Sequence, residues 1–139
     1  MGYLYYCKCD NCGYYMDDFA VGHGFSASRI REHIERQILL GYYGHEIMNV
    51  ARSISKLKVE QSNEMFACKK CGDIKQLDLI ELFDESQDSD EPVYTYKHHC
   101  EKCYGVFEHI VLEHYKPKKE VLCPQCKKAL KIGPCGHWD

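Results

Sequence analysis

A chain of 139 residues carrying 10 cysteines devotes several times the usual share of a soluble domain to thiol, and its length admits one compact domain or two small ones but no deep multi-layer core. Hydrophobic residues at 45% and charged residues at 28% make a globular composition, which excludes a largely disordered chain, and no segment approaches the roughly 18 consecutive apolar residues of a membrane span. The formal net charge of -3 gives polyphosphate no bulk attraction.

The amino-terminal run Met1-Gly2-Tyr3-Leu4-Tyr5-Tyr6 passes directly into Cys7 and Lys8, without the basic, apolar and small-residue succession of a secretory signal. Tyr6 stands where a myristoylation pattern wants Ser or Thr. The expectation is a soluble, cytoplasmic chain, whose thiols stay reduced and bind metal or do redox chemistry rather than form structural disulfides. Residues 3–8 and 14–21 are rich in aromatics and predict strands on either side of Cys9 and Cys12. Gly22-His23-Gly24-Phe25 follows; glycines before a helix can cradle an anion, but the simpler expectation is a tight turn into that helix.

Ala27, Ile30, Ile34 and Ile38 then recur at helical spacing behind a cap at Ser26 or Ser28, with Arg29, Glu32 and Arg36 on the opposite side. Gly41-Tyr42-Tyr43-Gly44 breaks the pattern, and Ile47, Val50, Ala51, Ile54 and Leu57 form a second apolar stripe. Residues 26–58 thus predict a helical hairpin. Residues 74–83 are ambiguous in period, while 93–98 and 104–115 lean towards strand. The acidic, turn-like run 84–91 marks the expected boundary between two halves.

Four cysteine pairs share one spacing: Cys9-Asp10-Asn11-Cys12, Cys68-Lys69-Lys70-Cys71, Cys100-Glu101-Lys102-Cys103 and Cys123-Pro124-Gln125-Cys126. A tight loop between two thiolates aims both sulfurs at one point, so two such knuckles complete a tetrahedron around zinc. Eight ligands make two sites. The last two pairs are separated by residues 104–122, a spacing of 19 residues that falls in the window of paired knuckles about 15–20 residues apart. The first two pairs enclose residues 13–67, so a site there carries an insertion. In an exchanged arrangement, the Cys68/Cys71 knuckle meets the Cys100/Cys103 knuckle and the outer pairs meet each other, because loop closure costs only about 0.6 kcal/mol per doubling of length. Sequential pairing is the expectation, since neighbouring elements usually pack together. Cys7 and Cys135 fall outside the pairs and read as one buried and one incidental thiol, although Cys7 could replace Cys9 and Cys135-Gly136-His137 could supply further ligands. His98, His99, His109 and His114 read as strand residues or hydrogen-bond donors around a metal.

These knuckles, most clearly Cys100 to Cys126 with its Cys-Pro-x-Cys second half, resemble the zinc-ribbon superfamily found in transcription factors, RNA-polymerase subunits and many small bacterial proteins. The resemblance implies that all eight cysteines are ligands of two zinc ions, each held in a small antiparallel sheet. Together with the helical hairpin and the acidic run, the expectation is an α+β fold: residues 1–83 form a first zinc-knuckle unit carrying the hairpin, 84–92 an acidic linker, and 93–139 a carboxy-terminal zinc ribbon. A second resemblance covers only Tyr6-Cys7-Lys8-Cys9-Asp10-Asn11-Cys12-Gly13-Tyr14, which is similar to the first knuckle of rubredoxin and implies iron as the alternative metal. Rubredoxin's second knuckle is Cys-Pro-x-Cys-Gly, whereas Cys68-Lys69-Lys70-Cys71 lacks the proline. Tetrahedral sulfur coordination suits either ion.

Four thiolates close a metal site, whereas catalytic zinc keeps an open position, so the chain is expected not to be an enzyme. His33-Ile34-Glu35 followed by Cys68 and Cys71 resembles the His-x-Glu and Pro-Cys-x-x-Cys signature of zinc deaminases, with Ala67 in the place of the proline, and supplies the enzymatic alternative. Two loaded zinc sites lower the charge balance to about -7. Lys116, Lys118, Lys119, Lys127, Lys128 and Lys131, opposed by Glu120 alone, form a basic stretch in which Lys116, Lys118, Lys119 and Lys131 are the candidate nucleic-acid contacts. The competing reading has lysines in and after the knuckles offsetting the thiolates. The function expected is therefore a zinc-stabilised interaction module. A protein partner comes first, given the acidic balance and the aromatics Tyr42, Tyr43 and Trp138; nucleic acid is the alternative, and no membrane is involved.

Overall fold

Aromatic and thiol side chains alternating with more exposed ones make a half-buried strand of the amino terminus, β1 (Gly2–Lys8), which buries Tyr5 and Cys7 as a pleated strand with one covered face requires. It is the first element of a computed structural model that describes residues 2–24 and 27–138. The others follow in chain order: β2 (Tyr15–Gly22), α1 (Ala27–Leu39), α2 (His45–Ser53), β3 (Leu57–Cys68), β4 (Ile74–Asp84), β5 (Tyr94–Thr95), β6 (Phe107–His109), β7 (Leu112–Glu113), β8 (Lys116–Pro117) and β9 (Lys131–Trp138). The fold is α+β, antiparallel sheets with a helical hairpin, as the sequence predicts. Among the described residues no helix is long and apolar enough to cross a membrane.

The chain divides into two compact units. The first, called the metal unit below, comprises Met1–Gly24, Asn63–Leu77 and Lys97–Asp139; the second, the helical unit, comprises Phe25–Ser62 and Asp78–Tyr96. The run 84–92, expected to be a linker between halves 1–83 and 93–139, lies wholly within the helical unit. There it is the loop of a strand pair: Asp84 Oδ1 accepts hydrogen bonds from Ser86 N at 2.9 Å and Ser86 Oγ at 2.6 Å, and Val93 N donates to Leu82 O at 2.7 Å. An acidic, serine-rich run signals a turn through such side-chain to backbone bonds and does not by itself mark where a unit ends.

In the metal unit β1 runs between β2 and β9, antiparallel to both, with Tyr3 opposite Val21 on one side and His137 on the other. Gly22 at the end of β2 pairs with Asn63 of β3, and β6 lies along β3 with Cys68 opposite Phe107. Tyr5, Cys7, Phe19, Met65, Ile74, Ile110, Leu130 and Ile132 form its core together with Cys9 and Cys123. Both β3 and β9 fall where the sequence predicts no strand.

In the helical unit Ile34 and Ile38 of α1 and Ile47 and Ala51 of α2 pack with Val59, Ile80 and Leu82. Gly41, at φ 88°, ends α1: Tyr42 N donates to Gln37 O at 3.0 Å and Gly41 N to Ile38 O at 3.1 Å, the paired bonds of a Schellman motif that only a left-handed residue closes without strain. Arg52 caps the same end, its Nη2 on Leu39 O at 2.9 Å. The hairpin is shorter than predicted. Ile54 is already extended and Leu57 begins β3, so the last two members of the second apolar stripe serve the sheet side of the same core. Ile30 of the first stripe is 40% exposed. Of the two expected caps, Ser28 lies inside α1; Ser26 lies outside the described residues, as does Phe25 of the glycine turn.

Candidate metal centres

Each Cys-x-x-Cys folds the same way. The first cysteine's N–H donates to the carbonyl five residues on: Cys9 to Tyr14 at 2.9 Å, Cys68 to Asp73 at 2.8 Å, Cys100 to Gly105 at 2.7 Å and Cys123 to Lys128 at 2.7 Å. Its carbonyl accepts from the residue four on: Gly13 at 3.0 Å, Gly72 at 2.9 Å, Tyr104 at 2.8 Å and Lys127 at 2.9 Å. That fourth residue is left-handed every time, with φ of 79°, 82°, 61° and 65°. Glycine adopts this conformation freely; Tyr104 and Lys127 do so against a steric cost. The turn buries the first cysteine and leaves the second nearer the surface: Cys9, Cys68, Cys100 and Cys123 are all buried, whereas Cys71, Cys103 and Cys126 are half-buried and Cys12 is exposed.

The knuckles come together crosswise. Cys9, Cys12, Cys123 and Cys126 form one quartet and Cys68, Cys71, Cys100 and Cys103 the other, with the sulfurs of each within 4.8 Å of one another. This corrects the expectation of sequential pairing in favour of the exchanged one. The physical reason is β1: its pairing with both β2 and β9 carries the chain's two ends side by side, so the first knuckle meets the last, while β6 on β3 brings the third knuckle to the second. In every close pair a buried first cysteine faces the outer cysteine of the opposite knuckle: Cys9 to Cys126 at 3.4 Å and Cys123 to Cys12 at 3.6 Å, Cys68 to Cys103 at 3.4 Å and Cys100 to Cys71 at 3.8 Å. These separations are far longer than a disulfide of roughly 2.05 Å. Four sulfurs about 2.3 Å from a common ion lie roughly 3.8 Å apart, so the two quartets fit two tetrahedral ions.

The thiols of each quartet titrate against one another. Burial opposes ionisation of Cys68, but the N–H groups of Cys71 and Lys70 and the neighbouring thiols outweigh it and hold Cys68 at about 6. Its neighbour Cys103 has the Gly105 N–H in its favour, yet burial and the sulfurs of Cys68, Cys71 and Cys100 push it to about 11. In the other quartet the Lys128 N–H and Asn11 hold Cys126 at about 6. The Tyr14 N–H favours the Cys12 thiolate, but burial and its three sulfur neighbours raise it to about 12. Four thiolates at this spacing need a cation among them, and a bound ion deprotonates such thiols outright.

Small and charged residues support the quartets. A Cβ on Gly105 would stand 2.7 Å from Lys70 Cβ and 3.0 Å from Cys68 Sγ, so the backbone reaches the sulfurs only because this residue has no side chain. Lys127 Nζ donates to Cys71 O at 2.8 Å and Pro124 O at 3.2 Å, tying a knuckle of one quartet to a knuckle of the other. Lys70 Nζ reaches Cys103 O at 3.4 Å, and Lys102 sits 3.5 Å from Asp73. Of the lysines inside and after the knuckles, Lys70 and Lys127 thus bond knuckle carbonyls, whereas Lys69 and Lys102 pair with carboxylates.

The remaining sequence candidates fall outside the quartets. Cys7 is fully buried, and burial pushes its thiol to about 12; Cys135 is exposed. The His137 ring packs on Tyr3 at 4.8 Å. His98 and His109 both pack against Phe66 at 5.4 Å. Lys118 and Lys119 line a cleft of about 540 Å³ together with Lys69, Lys70 and Lys127, whereas Lys116 lies in β8 opposite Glu113 and Lys131 in β9 opposite Lys8. The four proposed nucleic-acid lysines thus do not form one set. Of the aromatics expected at the surface only Tyr42 is exposed, at 74%; Tyr43 packs edge-on against Tyr96 at 5.3 Å, and Trp138 Nε1 donates to Val21 O at 3.0 Å.

By spacing and by geometry the two quartets fit zinc-ribbon-like sites and could hold two metal ions. Comparison with protein-family models, with curated proteins and with solved structures found no match. The crosswise pairing also sets the rubredoxin-like first knuckle opposite Cys123-Pro124-Gln125-Cys126, the one knuckle that carries a proline, with Lys127 in place of the glycine that follows in rubredoxin.

Proposed function

We propose that the chain is a zinc-stabilised, non-enzymatic interaction module that binds a protein partner. The observation that carries this reading is the donor set: each site draws all four ligands from the chain itself, at tetrahedral spacing, which fills the positions a catalytic zinc would keep open for water or substrate. Cys68 and Cys71, which a deaminase would use with His33 and Glu35, complete their quartet with Cys100 and Cys103. Zinc supplies folding free energy in such sites and no chemistry on a substrate. The cytoplasm, where thiols stay reduced, suits eight cysteines held as metal ligands.

A second reading concerns the metal of one quartet. The pairing of Cys9 and Cys12 with Cys123 and Cys126 brings together the two knuckles that most resemble rubredoxin's, so iron at this quartet, with electron transfer as the role, is the alternative. Elemental analysis of the purified full chain separates them. Two zinc ions per chain are expected; one iron per chain with visible absorbance lost in Cys126→Ser would replace the structural reading at that quartet.

A further inference from the structure

Between the knuckles of the metal unit lies the cleft of about 540 Å³, within the size range of pockets that take specific ligands. Its floor is aliphatic, made by Ala67, Ile110, Val111, Val121 and Leu122, and among the described residues its rim carries Lys69, Lys70, Lys118, Lys119 and Lys127 against Glu108 and Glu120. Segments far apart in sequence supply these lysines, so their convergence is a product of the fold. Lys127 is committed to the carbonyls of Cys71 and Pro124, and Lys69 faces Glu108 at 3.8 Å. Lys118 and Lys119 are exposed and hold no side-chain partner among the described residues. Val111 and Leu122 are 47% and 49% exposed, an apolar surface next to free ammonium groups.

We propose that this cleft binds an acidic, aliphatic segment of a partner protein, with its carboxylates on Lys118 and Lys119 and its aliphatic side chains on the floor. The inference rests on the interaction-module reading and names the chemistry of the partner. Two observations favour a peptide over a nucleic acid. Among the described residues no Phe, Tyr or Trp lines the cleft, and the one aromatic ring that does, His109, packs against Phe66, so bases find no extended stacking platform of the kind single-strand binders use. Glu108 and Glu120 on the rim repel a continuous line of phosphates but tolerate a few spaced carboxylates.

The test uses the full chain, labelled with nitrogen-15 and loaded with metal, and a blocked hexapeptide Glu-Leu-Glu-Glu-Leu-Glu. A dispersed amide spectrum and two bound ions per chain before titration separate this proposal from the module reading. The expected result is saturable amide shifts confined to residues 67–72, 108–111 and 118–123, half-complete at or below about 1 mM peptide and weakened as salt rises from about 50 to 300 mM. Changing Lys118→Glu together with Lys119→Glu should lower the affinity about tenfold or more, whereas Lys116→Glu, outside the cleft, should leave it unchanged. Absence of cleft shifts at about 5 mM peptide, or equal loss in the Lys116→Glu variant, overturns the proposal. So does tighter binding of hexathymidylate at the same residues, which would make the cleft a nucleic-acid site.

Discussion

The helical unit closes around Ile34, Ile38, Ile47, Val59, Ile80 and Leu82, aliphatic side chains that need nothing but burial to hold them. The metal unit, drawn from three separate stretches of chain, includes Cys9 and Cys123 in its core and folds four knuckles back on themselves around sulfur. Hydrophobic burial alone rarely stabilises so small a core, and thiols crowded to within 4.8 Å repel once ionised. The difference teaches where stability resides: in one unit in apolar contact, in the other, on the proposed reading, in metal ligation, so conditions that destroy one should leave a measurable remainder of the other.

The largest effect expected is from chelation. Structural zinc contributes about 10–16 kcal/mol of apparent binding free energy at neutral pH, and its removal should strip hydrogen-exchange protection from residues 2–24 and 97–138 while amides of α1 and α2 stay protected. Uniform loss of protection would show that the two units are one cooperative structure. The converse break is Ile38→Ala. Ile38 is fully buried, and truncation should cost about 2–5 kcal/mol through lost transfer energy and the cavity left behind, melting the helices at lower temperature while metal content stays at two ions.

A sharper division lies within the metal unit. Gly105→Ala pushes a methyl against Cys68 Sγ and should weaken the Cys68, Cys71, Cys100, Cys103 quartet about 10- to 100-fold, a loss typical of disturbed support around ligands. Competition with a chromogenic chelator should show one weakened ion and one unchanged.

The smallest effect belongs to the helical unit and is read by pH. Glu60 is partly buried, which opposes its ionisation, but Arg31 Nη1 at 2.8 Å and Lys58 at 3.1 Å hold its carboxyl below the ordinary range. A carboxyl lowered in the folded state adds stability above its unfolded pKa, and that stability disappears as pH falls through the folded value. The pair is partly exposed, so less than about 1 kcal/mol is expected. In urea melts followed by the helix signal, Arg31→Met should remove that amount near pH 7 and progressively less as pH falls and the Glu60 carboxylate is protonated.

Much of this was legible in the residues, and the omissions have physical causes. The four knuckles follow from spacing, and the helical hairpin follows from the recurrence of Ile34, Ile38, Ile47 and Ala51 with glycines between the helices. The pairing of knuckles was not legible, because it depends on β9 reaching β1. Residues 131–138 carry Gly133, Pro134 and Gly136, which read locally as breakers, yet Gly133 is tolerated because it lies beneath the Tyr6 ring. β3 was missed because Glu60, Gln61, Ser62, Asn63 and Glu64 are poor strand formers; tertiary pairing overrides that preference. Tyr104 and Lys127 likewise conceal a left-handed turn that Gly13 and Gly72 display.

The crosswise pairing is the claim on which the rest depends, and alkylation tests it directly. In the variant Cys9→Ser with Cys12→Ser, loaded with zinc and treated with iodoacetamide, mass spectrometry of the digested chain should find Cys123 and Cys126 modified and Cys68, Cys71, Cys100 and Cys103 protected by the remaining ion. Modification of Cys68 and Cys71 with protection of Cys100, Cys103, Cys123 and Cys126 would contradict it and restore the sequential order.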